Sequence, residues 1–117
     1  MIFTLRSNTE IIPFSEHCNN FFPDASFALV NCGVYIDRKL KSPYHVSVIL
    51  DGMDIIRLGS FIMPTGADFY NFTTHHLIEN YIRGDAIQNK IKFHFEPLMP
   101  KQSLPRVNFA YADIELN

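Results

Sequence analysis

At 117 residues, with 47% apolar side chains, the chain is long enough to bury a core without metal or disulfide staples. Eleven Phe and five Tyr argue against intrinsic disorder, and ten basic residues set evenly among twelve acidic ones argue against a nucleic-acid surface. No run approaches the roughly 18 apolar residues of a membrane-spanning helix. The start Met1-Ile2-Phe3-Thr4-Leu5-Arg6 lacks a signal peptide's pattern, so a cytoplasmic chain is expected.

Taken in order, Ile2–Leu5 and Glu10–Phe14 are weak strand candidates. A loop follows, containing His17-Cys18 and the dense aromatic spot Phe21-Phe22-Pro23. Ser26 to Asp37 carries Val30, Val34, Tyr35 and Ile36 and predicts a strand. Gly33 in its middle predicts a bulge or a close approach by another backbone. Arg38-Lys39-Leu40-Lys41 reads as a solvated turn.

Tyr44, Val46, Val48 and Leu50 alternate with His45 and Ser47, the pattern of a half-buried strand. Asp51-Gly52 then predicts a hairpin whose second arm opens at Ile55-Ile56-Arg57-Leu58 and closes at Pro64-Thr65-Gly66. Phe69–Thr74 is a weaker strand with a second aromatic concentration, Phe69-Tyr70-Asn71-Phe72. Leu77, Ile78, Tyr81 and Ile82 have helical spacing, with Thr74 as a cap and Gly84 as a stop. One short helix near 75–83 is therefore expected.

Lys90-Ile91-Lys92-Phe93-His94-Phe95-Glu96 is the clearest strand, every second residue apolar, and Pro97 ends it. The proline-rich stretch to Pro105 reads as a long loop. In Val107 to Leu116, Val107, Phe109 and Tyr111 share one parity and Ile114 and Leu116 the other. A bulge near Ala112, or a change of sheet, would reconcile them.

About seven strands separated by turn signals predict an all-β, mainly antiparallel domain spanning 1–117: a β-sandwich, Ig-like or jelly-roll-like, with a closed barrel as the alternative. Chemistry is harder to find. Cys18 and Cys32 do not have zinc or thioredoxin spacing. His75-His76 is the one close histidine pair, and adjacent residues point in different directions. No phosphate-cradling glycine loop or nucleophile elbow occurs, so neither a metal nor another cofactor is expected. The acid pairs Asp51/Asp54 and Asp113/Glu115 read as turn and surface residues. Arg83-Gly84-Asp85 and the sequon Asn71-Phe72-Thr73 need a secretory setting to matter.

The aromatic excess is the feature above background. Neighbouring rings in an extended chain must point to opposite faces, so some reach the surface, where Tyr and Phe favour interfaces. The reading is a non-catalytic interaction or assembly module. It would contact another protein or a second copy through Phe21, Phe22, Tyr70 and Phe72, with no nucleic-acid or membrane partner. The alternative is a small-molecule or carbohydrate binder, or a hydrolase, with a cleft lined by His75, His76, His94 and carboxylates.

Overall fold

The computed structural model describes residues 2–13, 27–51, 55–77 and 90–116. Eight strands run through them: β1 (Ile2–Ser7), β2 (Ile11–Pro13), β3 (Phe27–Ile36), β4 (Tyr44–Asp51), β5 (Ile55–Met63), β6 (Phe69–Leu77), β7 (Lys90–Pro97) and β8 (Val107–Leu116). They form two four-stranded sheets, ordered β1-β8-β3-β6 and β2-β7-β4-β5. Every pairing is antiparallel. First pairs with last, second with seventh, third with sixth and fourth with fifth. One long ribbon, with the β4–β5 hairpin at its tip, is thus wrapped over two sheets. That order makes the expected β-sandwich a jelly roll rather than an Ig-like domain.

Alternation builds the core between the sheets. Ile91, Phe93 and Phe95 of β7 and Tyr44, Val46, Val48 and Leu50 of β4 are buried, as their period-two pattern predicts. From the other sheet come Leu5, Leu29, Cys32, Val34, Ile36, Ala110, Ala112 and Ile114. Each large side chain so buried contributes about 1.5–3 kcal/mol relative to exposure. The Asp-Gly hairpin forms between β4 and β5, with Asp51 paired to Ile55; Gly52 lies outside the described residues.

The structure corrects three expectations. Residues 75–77 are strand, not the opening turn of a helix, because β6 runs on to Leu77 and pairs His76 with Leu29 and Leu77 with Ala28. Ladder bonds to β3 outweigh the local helical spacing; residues 78–83 lie outside the described residues. In β8 the change of parity falls at Asn108, not near Ala112. Tyr35 pairs with Phe109 but the next residue, Ile36, pairs with Val107, so Asn108 is the extra residue. Val107, Ala110, Ala112 and Ile114 therefore face the core, and Phe109 and Tyr111 face outward. At Gly33 the close neighbour is a side chain and not a backbone, since the Tyr111 ring lies directly over it. The register shift in β3 instead falls between Leu29 and Asn31.

Candidate functional site

The outer face of the β1-β8-β3-β6 sheet carries the aromatic side chains that the core does not absorb. Register aligns Phe69 of β6, Tyr35 of β3 and Phe109 of β8 in one row across three strands. Tyr35 stacks on Phe69 with ring centroids 4.2 Å apart and on its other side meets Phe109 at 5.8 Å. Phe109 continues to Tyr111 at 6.3 Å. Tyr35 remains 42% exposed, a high value for a ring flanked on both sides. An open depression of about 570 Å³, lined by Tyr35, Ile36, Asp68, Asn108 and Phe109, borders this row.

Beside the rings the same face becomes polar. Asn71 Nδ2 donates to the Tyr111 hydroxyl, which holds the ring over Gly33. One row further, Thr4 Oγ1 donates to Asp113 Oδ1 at 2.6 Å and Asn31 Nδ2 to Asp113 Oδ2 at 3.2 Å. Thr73 Oγ1 lies 3.3 Å from Asn31 Oδ1. This chain of bonds crosses all four strands. Asp113, expected to be a surface acid, is its central acceptor.

On the inner side of this sheet sits Cys32, a free, fully buried thiol. Burial, with the Asp113 carboxylate as the smaller cause, pushes its pKa from 9.0 up to about 12. A thiol so held is protonated at neutral pH and a poor nucleophile.

Other residues singled out from sequence fall in several places. Tyr70 and Phe72 are half-buried on the inward side of β6. Tyr70 stacks on Phe61 at 4.6 Å, and Phe72 lies 5.5 Å from the same ring and covers Gly59. They close the seam between edge strands β6 and β5. Phe21 and Phe22 lie outside the described residues. His75 and His94 are both exposed, on strands of different sheets, and are not brought together. His94 Nε2 instead lies 3.3 Å from Glu96 Oε1. His76 pairs with Leu29 through its backbone. Among the described residues, no group of three His, Cys, Asp or Glu side chains is placed to hold a metal ion.

Tyr35, Phe69, Phe109 and Tyr111 are not among the contact residues expected from sequence, although Phe69 belongs to the aromatic concentration Phe69-Tyr70-Asn71-Phe72. The parity of Tyr35 opposite Val34 and Ile36, and of Phe69 opposite Tyr70, is legible in each strand alone, whereas the outward turn of Phe109 and Tyr111 depends on the extra residue at Asn108. Their alignment into one row depends on pairing between residues far apart in sequence.

Fold and face together define a jelly-roll β-sandwich with an aromatic outer sheet. Set against known protein families, curated proteins and solved structures, the chain matches none of them. No helix among the described residues is long and apolar enough to cross a membrane.

Proposed function

We propose that the chain is a non-catalytic binding and assembly module, and that it associates with a second copy of itself through the outer face of the β1-β8-β3-β6 sheet. The observation that carries this reading is the cross-strand row Phe69–Tyr35–Phe109, built outside the core and left partly open to water. The rings lie at one end of the face, where β6 and β8 begin and β3 ends, and the hydrogen-bonding residues Asn71 and Thr73 border them along the strands, so apolar contact area sits beside polar groups as it does in interfaces.

Ring geometry favours a protein surface over a sugar. A pyranose stacks on an uncovered aromatic face. Here Tyr35 and Phe69 already cover one face of each other, and Phe109 flanks Tyr35 on the other side. What the row presents is a run of mutually packed, part-exposed rings, which suits a complementary apolar surface. A like face on a second chain supplies one, as in isologous dimers.

Analytical ultracentrifugation of the purified chain over a wide concentration range tests the proposal. Concentration-dependent association is expected, weakened about tenfold or more by Tyr35→Ser, as for a central interface aromatic. A wild-type chain that sediments as a monomer throughout, or a Tyr35→Ser variant that associates equally well, would overturn it.

A further inference from the structure

The connections β1–β2, β3–β4, β5–β6 and β7–β8 meet at one end of the sandwich, where backbone hydrogen bonds tie three of them together. Gly66 N donates to Leu40 O, Leu40 N to Ala67 O, Asp37 N to Arg106 O and Leu98 N to Pro43 O. This end holds a pocket of about 380 Å³ lined by Arg38, Leu40, Lys41, Tyr44, Lys101, Gln102 and Ser103. Three of these side chains are cationic and none is acidic. They come from two loops far apart in sequence, so the chain's even charge distribution conceals the cluster.

We propose that this pocket binds the phosphoryl group of an anionic ligand. Four observations support it. Lys41 and Lys101 make no ion pair among the described residues. Arg38 is held in position: its Nη2 donates to Ser103 O at 2.7 Å and lies 3.2 Å from Ser103 Oγ, its Nη1 lies 3.9 Å from Asp37 Oδ1 in a long, exposed ion pair, and the Tyr44 hydroxyl donates to the same Ser103 carbonyl. A guanidinium fixed in this way needs little ordering when it meets an oxyanion. Lys101 has φ of 65°, the left-handed region that a non-glycine residue adopts at a cost and that is concentrated at ligand clamps. Finally, Gln102 Oε1 is buried with no hydrogen-bond partner. A hydroxyl on the ligand beside its phosphoryl group would satisfy that acceptor.

The pocket shares no lining residue with the aromatic row, so it stands or falls independently of the assembly reading. Titration of the full chain with inorganic phosphate, followed by amide NMR against sodium chloride at matched ionic strength, tests it. Saturable shifts confined to the loops around residues 38–44 and 100–104 are expected. Lys41→Gln/Lys101→Gln, both exposed, should weaken binding about tenfold or more, as loss of charge-assisted bonds implies. Lys101→Gly keeps the backbone conformation and should fold with an equal or higher Tm while also binding more weakly. Unsaturable shifts spread over all basic residues, or equal binding by wild type and the double variant, would overturn the proposal.

A second arm identifies the source of the phosphoryl group. Cosedimentation with phosphatidylcholine vesicles containing phosphatidic acid, but not with phosphatidylcholine alone, makes it a lipid headgroup. Soluble binding without cosedimentation makes it a free phosphorylated molecule. Both results uphold the pocket.

Discussion

At Gly33 an added Cβ would collide with Tyr111 Cε1 and sit 2.7 Å from its hydroxyl oxygen. The Tyr111 ring occupies the space a side chain would take and covers the backbone there. Gly33→Ala must therefore swing the ring away and break its bond to Asn71. A loss of about 1–2 kcal/mol is expected by urea denaturation. In a Tyr111→Ala background the same substitution should cost almost nothing, and a double-mutant cycle with no coupling would refute the account. Cys32, one residue earlier and on the opposite face, gives a prediction in pH. Below pH 9.0 its thiol is protonated both folded and unfolded, so it adds no pH dependence. Above that value the unfolded thiol ionises while the buried one does not. Its contribution is therefore lost as pH rises from 9.0 through about 12. Wild type should lose stability relative to Cys32→Ala over that window, and parallel stability curves would contradict the assignment.

Among the elements, β7 shows how one strand divides between core and water. Phe93 is 1% exposed and His94 faces solvent. Phe93→Ala should cost about 3–5 kcal/mol in chemical denaturation, whereas Lys92→Ala should stay within about 0.5 kcal/mol of wild type. Near-equal effects would mean the strand does not bury that face. This division was readable in sequence because period two leaves no ambiguity where every second residue is charged or His. β6 was harder. Its residues Thr74 to Leu77 border a stretch with helical spacing, and only pairing with β3 makes them strand. In β8 the change of parity was visible, but its position at Asn108 depends on the partner strand, which sets which residue is extra.

At the scale of the whole molecule, topology gathers residues that the chain keeps apart. The sheet order brings Phe69, Tyr35 and Phe109 into one row although each lies on a separate strand. It also brings the loop after β3 and the loop after β7 to the same end, joining Arg38 and Lys41 to Lys101. Both the aromatic face proposed for assembly and the cationic pocket proposed for a phosphoryl group are consequences of that order, and the experiments above address them separately. The edges matter too: β5 has no described strand beyond it, and its Ile55 and Ile62 are exposed. An association that survives loss of Tyr35 would direct attention to this edge, since unpaired strands invite pairing. By itself the sequence determined the all-β class, most of the strands, the hairpin at Asp51-Gly52 and the buried faces of β4 and β7, because these follow from local alternation and turn chemistry. Only the tertiary structure decided the jelly-roll order, the strand character of residues 75–77, the inward turn of Tyr70 and Phe72, and the two candidate sites. These depend on which distant strands pair and in what register, and the free energy of such long-range pairing leaves no mark in a local pattern.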